Sequence, residues 1–132
     1  MPRIKIDLPD TFNFSISIPV RITDLNYGGH VGNDSFLSLI HEARVQYLKQ
    51  NNISELSAEG PGLIMTDAVI EFKKELNYGD EVIISVTADN LASYSFTLFY
   101  LLEKMNGDKK EVVGKAQTGM LKYDYKLKRI IK

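Results

Sequence analysis

The stretch Val20 to Leu48, VRITDLNYGGHVGNDSFLSLIHEARVQYL, changes hydrophobic period partway along, and that switch constrains the fold more than any other feature. Leading into it, Phe12, Phe14, Ile16, Ile18, Val20 and Ile22 alternate with Asn13, Ser15, Ser17, Pro19, Arg21 and Thr23. A two-residue repeat is that of a strand with one face on a core. Pro19 cannot donate to a ladder, which predicts an edge strand or a bulge. Gly28, Gly29 and Gly32 then interrupt regular structure. From Asn33 or Asp34 onward, Phe36, Leu39, Ile40, Ala43 and Tyr47 fall on one helical face, while Leu37, Val45 and Leu48 take a second side. Apolar residues on more than one stripe predict a helix wrapped by other elements, stopping near Gln50-Asn51-Asn52.

Downstream, strand patterns run over about 63–76, 82–89, 94–103 and 111–125. Short turns are signalled by Asn77-Tyr78-Gly79-Asp80, Asp89-Asn90 and Asn106-Gly107-Asp108, and Gly114 and Gly119 suggest bulges or close backbone approaches. The order is strand, long helix, four strands: an α+β layout in which a five-stranded antiparallel sheet covers one helix, within a single domain over residues 1–132. Such a sheet leaves two edges, so a homodimer, or a dimer of dimers, is expected.

The charges are interspersed and sum to −1, with pI near 6.1, which gives no electrostatic case for nucleic acid or an anionic membrane as the main partner. The basic tail, Lys126, Lys128, Arg129 and Lys132, reads as a solvated terminal strand or fray, the alternative being a binding patch. Without cysteine, disulfides and thiolate chemistry are excluded. No secretory or membrane-spanning pattern is visible, so a soluble cytoplasmic protein is expected. Two histidines make no convincing zinc site, and no G-x-S-x-G elbow occurs, so neither metal nor serine-triad chemistry is indicated.

The turn before the helix carries the chemical signal. A helix start presents unpaired N–H groups and partial positive charge, suited to an oxygen that becomes negative during reaction. Gly28 and Gly29 would let a ligand approach the backbone, and Gly32, Asn33 and Asp34 would supply amide donors. The ordinary alternative is a loop ending in an Asx N-cap.

Asp24-Leu25-Asn26-Tyr27-Gly28-Gly29-His30-Val31-Gly32-Asn33, with Phe36 and the Glu42-Ala43-Arg44 run, resembles the signature of hotdog-fold acyl-CoA thioesterases of the 4-hydroxybenzoyl-CoA thioesterase type. Phe72 to Val82 is similar to that family's strand and turn after the helix. The resemblance implies a hotdog fold, dimers with one continuous sheet, active sites at the dimer interface, and thioester hydrolysis with no cofactor, coenzyme A being part of the substrate. It also implies an oxyanion donor at the N–H of Asn33, with Gly32 and Asp34 beside it, and a carboxylate that attacks or activates water.

That carboxylate is the second Asp of the family's D-x-D, which is Asn26 here. A neutral amide can orient water but cannot take its proton at neutral pH. Asp34, beside the proposed donors, is the first replacement candidate, its ordinary role being an N-cap; Glu42, from the helix middle, is the second. His30 could assist as an acid or donor or simply pack the loop, and Asp67, within an apolar strand pattern, could be a buried polar group near a partner's site. Lys73, Lys74 and Arg44 are candidates for the coenzyme's phosphates, and Tyr27, Phe36, Met65 and Tyr47 for an acyl pocket. The reading is an acyl-CoA thioesterase; the alternative, prompted by Asn26, is a non-catalytic acyl-CoA-binding protein of the same fold. A dehydratase of this fold is weaker, since its His-containing sequence before the helix is missing.

Overall fold

The structure is a computed structural model and describes residues 3–55 and 60–131. In chain order the elements are β1 (Phe14–Pro19), α1 (Asn33–Gln50), β2 (Pro61–Phe72), β3 (Glu81–Asp89), β4 (Ser95–Asn106), β5 (Lys109–Asp124) and β6 (Arg129–Ile130). The antiparallel sheet runs β1-β3-β4-β5-β2, with short β6 added to β5. The tail therefore supplies a sixth strand where five were expected, through Tyr123↔Ile130 and Asp124↔Arg129. With one long helix on this sheet, the α+β hotdog fold is established.

β1 keeps the alternation of its sequence: Phe14, Ile16 and Ile18 are half-buried and the residues between are exposed. It is an edge strand ending at Pro19, opposite Glu81. The expected continuation to Thr23 is replaced by a 3₁₀ turn over Ile22–Asp24. Buried Asp24 causes this turn by accepting from the Arg21 N–H at 2.8 Å and from the Arg21 guanidinium at 3.1 Å.

α1 buries Phe36, Leu39, Ile40, Ala43, Arg44, Tyr47 and Leu48. Beneath it lie Val82, Ile84, Val86, Leu98, Tyr100, Leu102, Val113, Ala116 and Met120 from the sheet. Asn52 terminates the helix in the left-handed region (φ 59°), with the Ile53 N–H donating to the Leu48 carbonyl at 2.8 Å and the Asn52 N–H to Lys49 at 3.0 Å, a Schellman closure. The helix is not wrapped on all sides: Leu37 and Val45 remain exposed, and only Leu48 of that second stripe is buried.

β2 forms the other edge, with a register shift between Met65 and Asp67, opposite Gly119. A second shift lies between Leu102 and Glu103, beside Gly114. β2 ends at Phe72, four residues before Leu76. The segment after it instead turns beneath the helix start: Lys73 and Lys74 N–H groups both donate to the Val113 carbonyl, and the Leu76 carbonyl accepts from Val31 at 3.0 Å. Leu76 is buried, so an apolar anchor pulls charged neighbours onto the end of α1.

Candidate active site

The turn ahead of α1 is built by Asn26. Its Oδ1 accepts from Gly28 N–H at 2.8 Å and His30 N–H at 3.4 Å, and its own N–H donates to the His30 carbonyl at 2.7 Å. Gly29 sits at φ 82°, where an L side chain would be strained, so a glycine is needed there to close the turn. Gly28 and Gly29 thus shape the loop, and the Gly28 N–H is already occupied. The Gly32 N–H is likewise taken, by the Asp24 carbonyl at 3.2 Å, so Gly32 is not one of the free amide donors.

The first intrahelical bond is Phe36 N–H to the Gly32 carbonyl. The N–H groups of Asn33, Asp34 and Ser35 have no partner among the described residues. No side chain caps them, because the N-cap position is Gly32 itself. Instead the Asp34 carboxylate folds back over that glycine: a Cβ on Gly32 would stand 2.6 Å from Asp34 Oδ1, 3.4 Å from Asn26 Cβ and 3.8 Å from Asn26 Nδ2. A carboxylate, an amide whose nitrogen is uncommitted and three free backbone donors therefore converge on one exposed spot. Partial positive charge at a helix start suits both a carboxylate and a developing oxyanion.

Glu42 does not join them. It lies eight residues on, about 12 Å along the axis at 1.5 Å per residue, exposed and accepting from Gln46 Nε2 at 2.9 Å. His30 places Nδ1 3.2 Å from Asn77 Oδ1 and 3.4 Å from Glu75 Oε2, holding the post-β2 loop against the turn. Asp67 is exposed on the outer edge of β2 in the single chain and accepts from Thr66 Oγ1.

Arg44 lies inside the fold, 6% exposed, donating to Glu55 Oε1 at 2.7 Å. The Tyr100 hydroxyl, which pairs with buried Thr118 at 2.8 Å, also acts on it electrostatically. Burial would lower the guanidinium pKa, but Tyr100 and Glu55 outweigh it and keep the group firmly charged. Its cation is committed internally, so the phosphate role expected of Arg44 does not fit. Position offered the clue: Arg44 is four residues from both Ile40 and Leu48, on the buried stripe.

Beside the helix start an open groove of about 560 Å³ is lined by His30, Val31, Phe36, Phe72, Lys73, Lys74 and others of the post-β2 loop. Phe36 meets Phe72 edge-on at 4.9 Å between ring centroids. Lys73 and Lys74 both line this groove, and Lys73 is paired with Glu71 at 2.9 Å. Of the acyl-pocket candidates only Phe36 lines it; Tyr47 packs in the core against Phe14, Met65 is exposed on β2, and Tyr27 projects fully into solvent. Asn33 and Asp34 are exposed and are not among the residues that line it. Among the described residues no group of His, Asp or Glu is disposed to hold a metal, and no helix is long and apolar enough to cross a membrane.

Residues 20–132 match the sequence profile described as the thioesterase-like superfamily. The uncharacterized protein YsmA of Bacillus subtilis (strain 168) is 25% identical over 108 residues, covering 78% of this chain and 73% of its own. Among solved structures, a 1,4-dihydroxy-2-naphthoyl-CoA thioesterase from Synechocystis superimposes with a TM-score of 0.79 at 21% identity, over 89% of this chain and 87% of the other. The gentisyl-coenzyme A thioesterase BH1999 gives 0.79 at 21% identity, over 89% and 94%.

Proposed function

Because the chain belongs to the thioesterase-like superfamily, and is on that ground a thioester hydrolase, we propose that it cleaves acyl-CoA thioesters at the amino end of α1. The observation that carries this reading is the set of unpaired N–H groups at Asn33, Asp34 and Ser35 beneath the Asp34 carboxylate. In the reaction, the thioester oxygen sits on the N–H groups of Asn33 and Asp34. Asp34 takes a proton from water as the water oxygen bonds to the carbonyl carbon. Negative charge gathers on the former carbonyl oxygen, where the donors and the helix end stabilise it. Collapse breaks the C–S bond, and the departing thiolate accepts the proton. The amide nitrogen of Asn26 steadies the water, its oxygen being held by the turn.

In this reading the protein works as a pair of copies. The outer edge of β2 has no partner strand among the described residues, and Met65, Thr66, Asp67 and Ala68 along it are exposed. Pairing with β2 of a second copy would cover that edge, so the working form in this reading is a homodimer. Equilibrium sedimentation at micromolar concentration checks it: a dimer is expected, and a monomer would contradict this pairing.

Thiol release over a panel of aliphatic and aromatic acyl-CoAs tests the activity. Turnover is expected, lost in Asp34→Asn and kept in Glu42→Gln; the reverse pattern would transfer the carboxylate role to Glu42. The second reading, a binder that does not hydrolyse, draws on Asn26, whose side chain serves the turn. Saturable acyl-CoA binding without thiol release would establish it.

A further inference from the structure

At the end of β2 the first described residues of the chain close a second groove of about 350 Å³, distinct from the one beside the helix start. Ile6 is buried and donates its N–H to Glu71 Oε1 at 3.0 Å, while Arg3 Nη2 reaches the Phe72 carbonyl at 3.4 Å. The Ile6 N–H first, and Lys73 second, hold the Glu71 carboxyl below its usual range, so this anchor stays ionised and fully engaged. The arm is thereby fixed along the strand end, and its cations are not neutralised by it.

The lining of this groove includes Arg3, Lys5, Lys73 and Lys74 with a single carboxylate, Glu71. Four cations against one anion is a local excess in a chain whose total charge is −1. Among the described residues Lys5 and Lys74 make no ion pair. Exposed apolar surface adjoins the cations, with Phe72 45% and Ile4 64% accessible. Unpaired cations beside an exposed aromatic ring suit a ligand that carries phosphates and a flat base. The groove also shares Phe72, Lys73 and Lys74 with the one at the helix start, so a single long ligand can occupy both.

We propose that the amino-terminal arm, through Arg3 and Lys5, joins Lys74 to bind the 3′-phosphorylated adenosine diphosphate end of coenzyme A, with the base against Phe72 and Ile4. This rests on the acyl-CoA reading but concerns a different part of the substrate. A substrate anchored there has its thioester carried along the shared lining toward Asn33 and Asp34.

The experiment compares the wild type with the full-length double variant Arg3→Ala/Lys5→Ala, using isothermal calorimetry with 3′-phospho-ADP, which contains no thioester. Wild-type binding is expected, weakened roughly three- to tenfold in the variant and less different at high salt. The kcat/KM preference for an acyl-CoA over the matching acyl-pantetheine should fall by a similar factor. Absence of wild-type binding, equal affinity in the two proteins, or loss confined to an acyl-carrier-protein substrate would each overturn the proposal. Binding in a protein that releases no thiol would instead retain this subsite and reject hydrolysis.

Discussion

Two polar clusters share α1, and they are treated in opposite ways. In its second half Arg44 is buried, and its charge is answered by Glu55, Tyr100 and, beyond them, Thr118. At its start Asn33, Asp34 and Ser35 expose N–H groups that nothing in the described chain accepts, and Asp34 lies in the open beside Asn26. The C-terminal end of the same helix is closed by the Asn52 turn, and the N-terminal end is left without a side-chain cap. The difference separates structure from chemistry: polar groups that satisfy one another hold the fold, and donors left unanswered are available to a substrate.

The contrast can be broken from either side. The largest effect should come from Asp34→Asn, which is expected to lower kcat by roughly 10²–10⁴, while urea unfolding changes by less than about 0.5 kcal/mol because the residue is on the surface. The mirror experiment is Glu55→Gln, read by urea denaturation. Leaving the Arg44 charge buried without its counter-ion should cost about 3 kcal/mol of stability, with little change in kcat for the folded fraction. If the two variants exchanged phenotypes, the division between the clusters would be wrong.

A smaller effect is expected for Gly32→Ala. Its methyl would displace the Asp34 carboxylate, which stands 2.6 Å from the new carbon, and misplacement of a reacting group should reduce kcat by about tenfold with KM little altered. The smallest effect concerns the 3₁₀ turn. Burial pushes the Asp24 carboxyl up, yet the Arg21 guanidinium and N–H outweigh it and hold the pKa below the ordinary 3.8. A depressed folded-state pKa means the contribution is complete above the unfolded value and vanishes as pH falls through the folded one. Thermal unfolding from pH 6 down to pH 2 should therefore lose an increment below about pH 4 that Asp24→Asn lacks.

Much of the fold was legible because period carries it. The two-residue alternation of Phe14, Ile16 and Ile18 and the helical spacing of Phe36, Leu39, Ile40, Ala43 and Tyr47 both fix which side is buried. Pro19 marked an edge, and Gly114 and Gly119 lie beside shifts in register. The end of β2 was not legible, since Leu76 falls in the two-residue register of Ile70 and Phe72 despite the interruption at Lys74, while long-range bonds to Val113 and Val31 turn the chain away. For the site, the sequence pointed to the helix start but could not say which N–H groups were already spent. The bonds from Gly28 and Gly32 are features of three-dimensional closure. Arg44 was misread because its conspicuous charge masked its place on the buried stripe, and Glu55 lies across a turn from it. Arg3 and Lys5 alternate with Ile4 and Ile6, a pattern that gives no partner strand, and the contacts of Ile6 with Glu71 and of Arg3 with the Phe72 carbonyl bring them to the end of β2.

The central claim is most directly tested by a crystal structure with a non-hydrolysable acyl-CoA analogue in which a methylene replaces the sulfur. The account predicts the analogue's carbonyl oxygen at about 2.7–3.1 Å from the N–H of Asn33 or Asp34, with the Asp34 carboxylate the nearest acidic group to the carbonyl carbon. A carbonyl lying away from the start of α1, or one approached by Glu42 instead, would contradict it.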